Sequence, residues 1–147
     1  MMTGQMSRTR TFLGLPRIDK LLLIECAFSL AATRVALALL PYRTVTDIVD
    51  FVSARLRSRS SQPTLSRVAW AVDTASRHVP GVNNCLVRAL AARVVLVRRQ
   101  RDAVLHYGVA SSGPDSFEAH AWVECDGVVV VGSTPERFTP LSIRTQR

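Results

Sequence analysis

The sequence predicts an α+β domain: several helices first, then a small antiparallel sheet, with a cysteine-bearing helix packed on that sheet. Three observations carry the prediction. Apolar residues recur at helical spacing in separate segments between positions 21 and 98, the spacing shortens to strand-like alternation after position 103, and Asp126-Gly127 separates two apolar runs as a two-residue type I′ hairpin turn does. A chain of 147 residues, 48% hydrophobic, suffices for one compact domain with a substantial core, and two domains would be cramped. Within it, residues 1–15 read as a disordered N-terminus, 16–62 as a helical N-terminal subregion and 63–147 as the core that carries the chemistry.

The segment Leu21 to Leu40 holds twenty mostly apolar residues, close to the length of a membrane span. Glu25 and Arg34 oppose a span, since a charge at the hydrocarbon centre costs about 2.5–3.5 kcal/mol. Glu25, Ser29 and Thr33 recur every four residues and make one polar stripe, so the expectation is a largely buried helix and no transmembrane span. A signal peptide is disfavoured because the small-residue cleavage pattern is missing. Pro41 stops this helix, and Thr44 to Leu56 forms the next, with Val45, Ile48, Val49 and Val52 inward. Arg57 to Pro63 is polar and closed by proline, the pattern of a linker. A third helix is expected over Thr64 to Val79, capped by Thr64 or Ser66, with Leu65, Val68, Ala69, Val72 and Ala75 inward and Arg67 and Arg77 in solvent.

Pro80 and Gly81 then punctuate the chain, Asn83 or Asn84 supplies a cap, and Cys85 falls in the first turn of a helix that runs to Arg98 or Arg99. Unpaired N–H groups and the positive end of the macrodipole favour a thiolate there, which makes Cys85 a candidate nucleophile. The basic cluster Arg98 to Arg101 reads as a solvated helix end. Cys26 lies in the apolar helix and Cys125 on a strand, and both read as packing residues. Three cysteines without C-x-x-C spacing indicate neither a disulfide framework nor a zinc site; no cofactor or metal is expected, and a reducing cytoplasm is the simplest location.

Strands are expected at Ala103 to Ala110, Phe117 to Cys125 and Val128 to Val131, with a loop over 111–116. His120 lies on the second of these, sharing a face with Glu118, Trp122 and Glu124. A helix-start cysteine followed by a strand histidine is the order of thiol enzymes in which imidazole takes the thiol proton. His78, at a helix end near Cys85, is the rival base, and His106 reads as structural.

The run Cys85-Leu86-Val87-Arg88-Ala89-Leu90, with Tyr107-Gly108-Val109, Ala119-His120-Ala121-Trp122-Val123-Glu124 and Arg137-Phe138-Thr139-Pro140-Leu141, resembles the transglutaminase-like (papain-like) cysteine proteases of lasso-peptide biosynthesis. The resemblance covers roughly residues 65–141. It implies a transglutaminase-like core with Cys85 as nucleophile, His120 as base, and a third residue, usually an aspartate on the following strand, that orients the imidazole. Val130 to Thr134 contains no acid, so Ser133, Glu136 and Asp126 stand as candidates for that role. The Cys85 backbone N–H is the natural first oxyanion donor.

The resemblance further implies a bacterial leader peptidase. It would remove the leader from a ribosomally made precursor peptide before a macrolactam-forming cyclase closes the ring. A separate leader-recognition protein is expected as partner, because the first 80 residues read as helices rather than strands. Two alternatives remain: a transglutaminase-fold acyltransferase using the same thiol, and a catalytically inactive binding or scaffold protein of that fold, which the missing acid motivates. The net charge of +8 comes from 18 Arg and one Lys against 11 acids; so strong an arginine skew is discounted as a sign of nucleic-acid binding, and a basic surface equally suits an acidic peptide.

Overall fold

The computed structural model describes residues 13–56, 62–132 and 139–144. Within them, α1 (Arg17–Leu39), α2 (Tyr42–Arg55), α3 (Leu65–Ser76) and α4 (Cys85–Arg98) precede β1 (Ala103–Gly113), β2 (Ser116–Cys125), β3 (Val128–Val131) and β4 (Thr139–Arg144). The strands make one antiparallel sheet in the order β3-β2-β1-β4. The α+β class is the one the sequence predicts.

Helix α4 is the centre of the packing, touching α1, α2 and α3 as well as β1, β2 and β3. Ala89, Leu90, Ala91, Ala92, Val95 and Leu96 are all buried, which a helix apolar on most sides requires, and the alanines let neighbouring backbones approach. Leu22, Cys26 and Leu30 of α1, Val45 of α2, Val68 and Val72 of α3, and Leu105 and Val123 of the sheet complete the core.

The expected burial of α1 is corrected in an informative way. Ser29 and Thr33 of the polar stripe are buried, while Leu21, Ile24, Phe28, Val35 and Leu39 are exposed. The stripe turns inward because its partners lie on α4 and its C-cap: Ser29 Oγ donates to the Ala91 carbonyl at 3.3 Å, and Glu25 accepts from Arg98 Nη1 at 3.0 Å and from Nη2 of the capping Arg99 at 2.5 Å. The helix is thus one-sided; by length and composition alone it could also cross a membrane. The same contacts correct the reading of Arg98 to Arg101 as a solvated end, since Arg99 is buried and Arg101 pairs with Asp126 at 3.0 Å.

Helix α2 follows the same logic. Val45 and Val49 are buried as expected, but Thr46 and Ser53 join them and Ile48 is exposed, because α2 faces the buried Arg93 of α4, which pairs with Asp50. Leu40 is extended ahead of Pro41, as a residue before proline prefers. Thr64 caps α3 by accepting from the Arg67 N–H at 3.3 Å, and Arg67 and Arg77 are exposed. Of the expected linker over 57–63, residues 57–61 lie outside the described residues.

In the sheet, β1 reaches Gly113 and β2 begins at Ser116, which leaves only 114–115 of the expected loop, since Ser111 pairs with Phe117 and Gly113 with Ser116 across a bulge. Asp126 (φ 53°) and Gly127 (φ 76°) are both left-handed, as a type I′ turn demands. Strand β4 has no counterpart in the sequence reading; it is short and contains Pro140, which an edge strand tolerates and an interior one does not.

Candidate active site

Cys85 is placed by the loop in front of it. Val82 is fully buried, Gly81 takes φ +75°, and its carbonyl accepts from Arg34 Nε at 3.0 Å, so the chain enters α4 from a fixed direction. Asn84, in extended conformation, closes the cap: its Oδ1 accepts from the Leu86 N–H at 2.9 Å. Cys85 is therefore the first helical residue. It is half-buried, and its N–H belongs to the first turn, where no intrahelical acceptor exists.

His120 stands where β2 enters the fold: residues 116–119 are exposed, His120 is half-buried, and residues 121–123 are buried. Its ring stacks on Trp122 at 6.2 Å and 21°, and Trp122 in turn stacks on His106 at 5.4 Å. Across the sheet His120 pairs with Gly108, which has no side chain to fill the space beside it. Gly132, at φ +93°, closes the other side so tightly that an added Cβ would lie 2.6 Å from that of Trp122.

Cys85 and His120 together border two concavities. One, of ≈ 550 Å³, is mainly apolar and is walled by Tyr42, Leu86, Tyr107 and Gly108, with Asn84 beside the cysteine. Tyr42 and Tyr107 meet edge to face at 5.8 Å, and the Tyr107 hydroxyl is buried with no partner among the described residues. The other, of ≈ 300 Å³, is more polar and is bounded by Asp73 and Arg88 together with Val130 to Gly132. Arg88 Nη2 lies 3.1 Å from Asp73 Oδ1, and Arg77 Nη2 lies 2.6 Å from Asp73 Oδ2.

Sequence reasoning assigned no role to Asp73, Arg88, Tyr42 or Tyr107. Arg88 carried a usable signal, because it follows Cys85 by three positions and so shares its helix face. Asp73 carried none, since it comes from a different helix. Of the candidate orienting residues, Asp126 lies in the β2–β3 turn and pairs with Arg101, while Ser133 and Glu136 lie outside the described residues. His78 Nδ1 meets the Thr74 carbonyl at 2.8 Å and borders neither concavity, and His106 Nε2 lies 3.5 Å from Glu124 Oε2.

The other two thiols are chemically quiet. Burial, with Glu25 adding to it, pushes the Cys26 thiol up to about 12, and burial next to Asp126 pushes Cys125 up to about 11. Neither is a thiolate near neutral pH. Among the described residues no group of three His, Cys, Asp or Glu is placed to hold a metal ion.

A half-buried thiol at a capped helix start, beside a strand histidine and open clefts, is the arrangement of a thiol acyl-transfer site. The family model of the Transglutaminase-like superfamily matches residues 27–143, and the chain belongs to that superfamily. Its members are usually cysteine-based enzymes, so membership supports protease or acyltransferase chemistry in general. No curated protein and no solved structure matches the chain.

Proposed function

We propose that this protein is a cytoplasmic thiol peptidase that removes the leader from a ribosomally synthesised lasso precursor before macrolactam closure. The observation that carries the proposal is that Cys85, at the capped start of α4, and His120, on β2, border the same two concavities. In this reading His120 takes the thiol proton and Cys85 Sγ attacks the carbonyl carbon of the scissile peptide bond. The Cys85 N–H supports the oxyanion, His120 returns the proton to the leaving amine, and water then frees the acyl group from the thiol. Ser133 and Glu136 remain the candidates for orienting the ring; Asp126 is excluded, since it pairs with Arg101 in the turn beyond β2, roughly 20 Å along the strand from His120.

A separate leader-recognition protein belongs to the proposal. Among the described residues the N-terminal half supplies helices rather than an exposed sheet edge that an extended leader could join. The outward apolar side of α1 is the surface such a partner would cover. The test of the chemistry is Cys85→Ala: leader removal, followed by mass spectrometry with the precursor and purified partner, is expected to vanish while circular dichroism is unchanged. Cys26→Ala and Cys125→Ala should retain most activity. Near-normal cleavage by Cys85→Ala would sink the assignment.

A further inference from the structure

We infer that Cys85 lies between two substrate subsites of opposite polarity, and that the polar one receives a carboxylate side chain of the peptide. The inference deepens the peptidase reading and rests on it. On one flank, Tyr42, Tyr107 and Leu86 wall a cleft that Gly108 leaves open, a shape and polarity suited to an apolar or aromatic side chain. On the other flank stands Arg88, one helical turn beyond Cys85 and on the same face of α4.

The charge balance of the second flank decides what it can hold. Asp73 is shared by Arg88 and Arg77, one carboxylate against two guanidinium groups, so the cluster keeps one net positive charge. Both carboxylate oxygens are already engaged, which leaves a cationic side chain little to bind. The Arg88 Nε–H is buried with no acceptor among the described residues. That donor is enclosed and out of a ligand's reach, so what draws a carboxylate is the uncompensated charge of the Arg88 side chain, which is part-exposed and lines the cleft. A side-chain amide supplies an acceptor without the charge. Asp or Glu is therefore preferred over Asn or Gln at this subsite.

Peptidyl vinyl sulfones extended on both sides of the warhead test this, because they alkylate an active-site thiol without a leader partner. Probes that differ only in Asp against Asn, or Phe against Ser, at each flanking position are compared by the rate of adduct formation on Cys85, read as intact mass. One flank should favour Asp over Asn by about tenfold, the order of difference between a charge-assisted and a neutral hydrogen bond. The opposite flank should favour Phe over Ser.

Arg88→Gln should abolish the Asp preference and leave the Phe preference. Taking the ratio within each variant cancels any change in thiol reactivity. Arg77→Gln, at an exposed position, should weaken the Asp preference and serves if Arg88→Gln fails to fold. Equal rates for Asp and Asn at every position overturn the charged subsite and leave the thiol reading standing. No adduct on native Cys85 with any probe, when iodoacetamide labels all three cysteines of the denatured chain, overturns the thiol reading and this inference with it.

Discussion

His120 is the residue whose loss should separate chemistry from stability. On the proposed mechanism, His120→Ala should lower leader cleavage by about 10²–10⁴-fold, the range for a positioned proton-transfer group. The same change at His106, which stacks on Trp122, or at His78, held to the Thr74 carbonyl, should act through folding alone. Cleavage rates measured beside thermal melts decide this; an equal loss from a well-folded His78→Ala would move the base. Cys26 makes a separate claim about pH. Its thiol rises from 9.0 to about 12 on folding, so the native state keeps its proton where the unfolded chain has lost it. That contribution is fully present below pH 9 and drains away as the pH climbs toward 12, by up to about 1.4 kcal/mol per pH unit. Cys26→Ala should flatten the alkaline fall in stability, read by urea denaturation at several pH values, and parallel curves for the two proteins would contradict it.

At the scale of elements, α1 is tied to the C-terminal end of α4 by Glu25. Replacing it by Gln leaves the buried Arg99 without its carboxylate, and unfolding free energy should fall by about 2–3 kcal/mol. Leu21→Ser, on the exposed side of the same helix, should change it by no more than about 0.5 kcal/mol. Urea denaturation of both variants checks the pair; the reverse order would mean that α1 packs by its apolar side after all. The contrast also explains what pattern reading missed. A polar stripe at four-residue spacing shows that one side of a helix differs, but the direction it faces depends on Arg98 and Arg99, 73 and 74 positions away. Strand β4 escaped for a different reason, since a six-residue edge strand with a proline has too little alternation to be recognised.

For the molecule as a whole, the proposed division of labour gives a direct test. Leader binding by a partner would raise the local concentration of the scissile bond at Cys85, as tethering does for any weak second contact. The isolated chain should therefore cut its precursor poorly and the partner should restore cleavage. Phe28→Asp and Leu39→Asp, both on the outward side of α1, should abolish that stimulation and leave Cys85 alkylation unchanged. Full cleavage by the chain alone at micromolar peptide would show that leader recognition is built in.

The sequence by itself determined the features set by near neighbours. Asn84 caps the helix at Cys85 through an N–H two residues away, Asp126-Gly127 turns β2 into β3, and the period-two pattern puts His120 on a strand. Such features need only dihedral preferences and bonds that span a few residues. The tertiary structure alone decided which groups meet Cys85. Asp73 reaches Arg88 from 15 positions away on another helix, and Tyr42, at the start of α2, reaches Tyr107 on β1. No spacing rule links those residues. They meet because α4 is buried against α1, α2, α3 and the sheet at once, and the packing of its apolar surface fixes where every polar group at its ends must find a partner.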